Sequence, residues 1–251
     1  MGAMRIDHRA HVASFRLEAE RCGALARVLP HRTPLPQFRR WSVGGVLQHL
    51  VGDFRWASHI VTTREWDGKG FSVARSKGDA LVRAYDESAA QMAVALDLAA
   101  ADPGGRCPNF ADGDSGLLGW WPRHQAHETL LHRWDLEATT GFHTPIDPWV
   151  AADGVDEAFD VYTPRYAGQR LDRPITIACT DAPAAWRLAP TADPGHLTVE
   201  ATDERDGADL VCGAEELLLA VWKRTPLAQT DARFGAQEDA VRRLFTGPLT
   251  A

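Results

Sequence analysis

"GWWPRHQAHETLLHRWDLEATTG", residues 119–141, reads as a single helix with its start and stop in place. Pro122 stands in the first turn, where a missing N–H is harmless, and Gly141 supplies the stop. His127, Leu130, Leu131, Trp134 and Ala138 recur at helical spacing, so an amphipathic helix is expected. Beside that apolar stripe, at the edge of the core, Glu128 and His132 lie four apart on one face, about 5–6 Å from each other at Cβ. His124 extends their row one turn back. His127 and Glu128 are neighbours pointing about 100° apart and cannot share an ion.

Three more helices precede this one. Ile6, Val12, Phe15, Ala19, Cys22, Leu25, Ala26 and Leu29 mark a helix over 5–29, which the prolines of "PHRTPLPQF" end. Ser42 caps a second, with the stripe Val43, Val46, Leu47, Leu50, Phe54, Ala57 and Val61. A glycine-containing loop near 67–70 leads to a third over about 77–101. Four successive helices describe a bundle. From about residue 145 the texture changes to a connector, one helix, and short β-prone runs at 174–180, 184–190, 196–202 and 208–213. Turns rich in Asp, Pro and Gly separate the runs, as in an antiparallel meander. Residues 214–224 and 237–247 return to helical patterning. The expectation is an α+β chain: a helical bundle over 4–147 and a small α+β domain with an antiparallel sheet over 148–251. "MGA" ahead of Met4 has the look of a cloning remnant and is left outside the first domain.

Composition narrows the function. Hydrophobic residues at 45% and charged residues at 24% belong to a globular protein with a substantial core. A net charge of -7, with no run of Lys and Arg, argues against a nucleic-acid partner. No stretch approaches eighteen uncharged apolar residues, so no membrane span is expected. The N-terminus has no apolar signal-peptide core, and Cys22, Cys107, Cys179 and Cys212 never form C-x-x-C, so a cytoplasmic setting with reduced thiols is expected. Cys22, Cys179 and Cys212 fall in apolar patterns and are read as buried, whereas Cys107 sits in a loop and could be exposed. Trp120, Trp121 and Trp134 are read as core.

The pattern H-E-x-x-x-H at 127–132 is one residue longer than the H-E-x-x-H of zinc proteases, which favours Glu128 and His132 themselves as metal ligands. Taken alone, the pair is first of all an ordinary helix ion pair worth a few tenths of a kcal/mol. A catalytic His₂Glu site needs another histidine. Two can supply it: His124 on the same helix, or His49 in "WSVGGVLQHLVGDFRWA", beside the apolar stripe of the second helix. His49 could equally be a half-buried histidine bonded to Asp53 one turn on, a contact that would orient its ring in a metal site.

Together, "WSVGGVLQHL" at 41–50 and "HETLLHRWD" at 127–135 resemble the mycothiol-dependent maleylpyruvate isomerase family, whose N-terminal domain is a DinB-like metal-binding bundle. "CGAEELLLAVWKR" at 212–224, followed by a short final helix, extends the resemblance to the C-terminal domain. The resemblance implies a divalent cation, usually zinc, held by His49, Glu128 and His132, with His124 and His127 left out. It implies mycothiol as a low-molecular-weight thiol cosubstrate and a small electrophilic substrate, which the thiol would attack in an isomerase or S-transferase reaction. It also places on Arg224 a family arginine that helps hold substrate or thiol, although "WKR" stands where W-G-R is commoner. The actinobacterial setting of mycothiol agrees with a chain in which Arg outnumbers Lys 24 to 3. Two rivals remain on the residues alone: a metal-dependent hydrolase on the same bundle, and a non-enzymatic ligand-binding or regulatory protein. Three ligands rather than four weigh against a purely structural metal.

Overall fold

Periodicity and caps turn residues 7–144 into four long helices. In the computed structural model, which describes residues 6–38, 40–66, 74–111, 113, 115–166, 171–193 and 196–250, these are α1 (His8–Val28), α2 (Val43–Thr63), α3 (Asp79–Ala101) and α4 (Trp120–Glu137). The loop expected near 67–70 and the residues before Met4 lie outside the described residues. The chain divides into two units, one of Asp7–Thr144 and one holding Pro145–Ala251. No helix among the described residues is long and apolar enough to cross a membrane.

In the helical unit the ends follow the local chemistry. Ser42 caps α2 by accepting a hydrogen bond from Gly45 N. α4 tightens into a 3₁₀ turn at Ala138–Thr140 and stops at Gly141, whose φ of 74° is left-handed and suits glycine. α1 packs mainly on α4, and α2 on α3. Phe15, Leu47, Leu50, Phe54, Tyr85, Met92, Leu96 and Trp121 fill the space between them. Phe15 meets Phe54 edge to face, with ring centroids 5.3 Å apart.

The expected amphipathic character of α4 gives way to a helix buried on nearly every face. Gln125, Thr129, Arg133 and Asp135 are as deeply buried as Leu130 and Leu131. Polar groups at such depth need partners. Arg133 finds them in Glu18 Oε2 at 2.7 Å and Glu137 Oε2 at 2.6 Å, and it also donates to Thr144 O. That network lets a polar face serve as an inward face.

In the second unit, α5 (Pro148–Glu157) is capped by Asp147 and runs on through a π turn at Ala158–Tyr162 into α6 (Thr163–Tyr166). The sheet comprises β1 (Ile175–Cys179), β2 (Ala185–Pro190), β3 (Leu197–Ala201), β4 (Leu210–Cys212) and β5 (Arg233–Phe234), in the order β3-β2-β1-β4-β5. The first three form the expected antiparallel meander. β4 does not continue it: it crosses to the far edge of β1 and pairs there in parallel, Ile177 opposite Leu210. The link of residues 202–209 is a crossover rather than a tight turn, as parallel pairing requires. Asp209 fixes the register by accepting from Thr176 N at 3.0 Å while donating its own N–H to Thr176 O at 2.8 Å. The short β5 was not legible in the sequence. Helices α7 (Ala214–Val221) and α8 (Glu238–Thr246) complete the α+β unit.

Candidate metal centre

Two helices meet at one carboxylate. Glu128 Oε1 on α4 lies 2.8 Å from His49 Nε2 on α2 and 3.1 Å from His132 Nε2 one turn along α4. The three donor atoms all lie within 4.8 Å of one another, a grouping able to hold a metal ion. Their side chains keep 38%, 18% and 10% exposure in the order His49, Glu128, His132, so the cluster opens to solvent on the His49 side. Two imidazoles and one carboxylate form a His₂Glu donor set, suited to a zinc-class cation with a fourth position left open.

Around this cluster the protein sets orientation. His132 Nδ1 donates to Asp135 Oδ2 at 2.9 Å, which turns Nε2 toward Glu128. Asp135 is held from its other oxygen by Gln37 Nε2 at 2.7 Å. Trp41 stacks along His132, with centroids 6.0 Å apart and planes at 18°, and meets His49 edge-on at 5.3 Å. A backbone hydrogen bond from Leu35 N to Trp41 O sets that indole at the entrance to α2.

Burial disfavours charge on His132, yet the carboxylates of Glu128 and Asp135 outweigh it and push the imidazole up to about 9. Burial likewise works against ionised Glu128, but His132 and His49 hold its carboxyl well below the ordinary range. Asp53 goes the other way: burial and the neighbouring Glu128 raise it. Its Oδ2 meets no hydrogen-bond partner among the described residues, while the nearby Gln125 amide works against the rise.

The structure brings His49, and not His124, to Glu128 and His132. His124 stacks on Trp120 at 4.3 Å and His127 meets His11 edge-on at 5.7 Å, both outside the cluster. The expected contact between His49 and Asp53 does not form. The orienting carboxylate is Asp135, on His132, and its i+3 spacing on a helix face was the signal that could have found it. Cys107 is buried rather than exposed, because paired backbone between residues 105 and 118 folds its thiol onto Ile60 O. All four cysteines are buried, and burial pushes every thiol up, Cys179 and Cys212 to about 12, so none is a ready nucleophile. Trp121 and Trp134 are core, and Trp120 is partly buried against it. Arg224 lies in the second unit just past α7, where its half-buried guanidinium donates to Trp222 O and lies over the Trp222 ring.

Residues 15–137 match the family model of the mycothiol maleylpyruvate isomerase N-terminal domain. The helical unit thus belongs to the family of mycothiol maleylpyruvate isomerase N-terminal domains. Among solved structures it is similar to the one titled "Crystal structure of the mycothiol-dependent maleylpyruvate isomerase". That likeness has a TM-score of 0.59 and 13% identity, and covers 88% of this chain and 90% of the other. At that identity it shows a shared fold, the DinB-like bundle followed by a small α+β unit. No curated protein matches the chain.

Proposed function

We propose that the chain is a mycothiol-dependent isomerase acting on a small electrophile, with a divalent cation, zinc fitting the donor set best, held by His49, Glu128 and His132. The observation that supports this most is the convergence of His49 Nε2 and His132 Nε2 on Glu128 Oε1, across 79 residues of sequence. Bound there, such a cation keeps a thiol in its nucleophilic thiolate form near neutral pH, where a free thiol of pKa roughly 8.5 is mostly protonated. The thiol in turn adds reversibly to a conjugated double bond and so frees rotation about the resulting single bond.

The chain's own residues supply position. Asp135 keeps the His132 proton on Nδ1 and leaves Nε2 for the cluster, and Gln37 keeps Asp135 in place. Trp41 shields the two imidazoles on one side, which limits water at the reacting centre. Asp53 Oδ2, unpartnered among the described residues, is a buried polar atom beside the cluster that could meet a substrate hydroxyl or a water. Arg224 is the candidate to hold an anionic group of substrate or thiol.

Metal analysis of protein purified without chelators tests this reading, together with turnover measured with and without mycothiol. About one equivalent of divalent cation, lost in Glu128→Gln, and strict thiol dependence are expected. Metal-free active protein, or turnover that persists without the thiol, overturns it; the latter points to the hydrolase alternative. Arg224→Lys should fold normally and lose activity, and unchanged kinetics would leave Arg224 as a helix-end charge.

A further inference from the structure

On the helical unit a cleft of about 930 Å³ opens beside the metal cluster, between the loop entering α2 and the segment entering α3. Arg32, Arg40, Arg75 and Lys77 line it, and no carboxylate among the described residues does. None of the four cations has an ion-pair partner among the described residues. Elsewhere on the same unit, Arg16, Arg21, Arg27 and Arg64 each face a carboxylate at 2.5–3.5 Å. In a chain of net charge -7, four cations with no carboxylate partner among the described residues thus line one concave place. Like charges gathered around one cleft repel each other, and a bound anion relieves that repulsion.

The cleft is built rather than incidental. Gln48 Oε1 accepts from Ser76 N at 3.0 Å and ties the 74–78 segment to α2, which brings Arg75 and Lys77 to the rim. Across the cleft, Gly44 N donates to His31 O, and a Cβ at Gly44 would meet that oxygen at 3.0 Å, a tight contact that glycine avoids beside Arg32. The N-terminus of α2 does not itself offer the anion site. Val43 N, Gly44 N and Gly45 N are already bonded to Thr33 O, His31 O and Ser42 Oγ. Recognition must come from the side chains. Trp41 is shared: it lines the cleft and packs on both imidazoles of the cluster.

We propose that this cleft binds the phosphate group of a phosphate-bearing ligand whose other end reaches the His49–Glu128–His132 cluster along Trp41. The second part rests on the metal-centre reading; the anion affinity of the cleft does not. Three of the four cations are arginines, whose planar forks match phosphate oxygens in pairs. Four charges suit a headgroup that is doubly charged at neutral pH better than a lone carboxylate. The volume is at the large end of the small-molecule range of roughly 300–1,000 Å³, leaving room for a body beyond the headgroup.

Calorimetric titration of the metal-loaded full chain with phenyl phosphate and, separately, with maleate tests the proposal. Both are dianions, and only one is a phosphate. Phenyl phosphate is expected to bind about ten-fold tighter than maleate, and Arg32→Ala/Arg75→Ala to weaken it about ten-fold or more. Arg16→Ala, which alters a paired arginine outside the cleft, should leave it unchanged. Glu128→Gln, titrated beside metal-free unaltered protein, should also leave phenyl phosphate affinity within about two-fold, because neither Glu128 nor either imidazole lines the cleft. Maleate binding as tightly as phenyl phosphate overturns the phosphate assignment. Absence of binding, an affinity indifferent to the double substitution, or one lost instead in Glu128→Gln overturns the cleft. Failure of the metal-centre reading appears separately, in metal content.

Discussion

If a cation binds at His132 as proposed, the raised pKa of that residue makes its binding release a proton near neutral pH. At about 9, set by Glu128 and Asp135 against burial, His132 in the metal-free protein is about 97% protonated at pH 7.5. A histidine of ordinary pKa 6.5 would be only about 9% protonated there. A cation at His132 Nε2 competes with that proton, so its entry must release close to one proton from this residue. The sign follows: apparent metal affinity rises with pH up to about 9 and then levels. Between pH 6.5 and 8.5 the His132 contribution alone should raise it about 75-fold, against about two-fold for an unshifted histidine. Titrating zinc at pH 7.5 in two buffers of different ionisation enthalpy measures the protons released, and a competing chelator measures the affinity. Asp135→Asn removes the charge facing His132 Nδ1, so it should lower the proton release at pH 7.5. It should also weaken metal binding at high pH by about 10–100-fold through the lost orientation. Protein that binds zinc at pH 7.5 with no proton released, and with affinity flat from pH 6.5 to 8.5, would refute the assignment of His132 as a ligand in the environment described.

The same shift bears on the metal-free fold. A folded-state pKa above the unfolded value stabilises fully below pH 6.5 and is lost as pH rises through about 9, at most about 3 kcal/mol for His132. The thermal midpoint of metal-free protein should fall across that window, and a midpoint that climbs would contradict the His132–Glu128–Asp135 arrangement. Arg133→Ala leaves Glu18 and Glu137 buried around a missing cation and should cost about 3–5 kcal/mol in urea unfolding. A cost under about 1 kcal/mol would show that water reaches those carboxylates.

What could be read along the chain and what could not divide by the range of the forces involved. Helix periodicity, the Ser42 cap and the Gly141 stop were legible because each depends on residues within a turn or two. So was the shared face of Glu128 and His132, since four residues of helix fix it wherever the helix lies. The family motifs also pointed to His49, but spacing alone left His124 equally able to serve. The packing of α2 and α4 is what brings His49 Nε2 to 2.8 Å from Glu128. Other features were set the same way: the burial of α4 on its polar faces, the fall of Cys107 against Ile60, the crossing of β4 to the far edge of β1, and the cations at the mouth of α2. Each depends on which surfaces meet after distant segments close on one another. Local propensity, which acts over a few residues, carries no information about that closure.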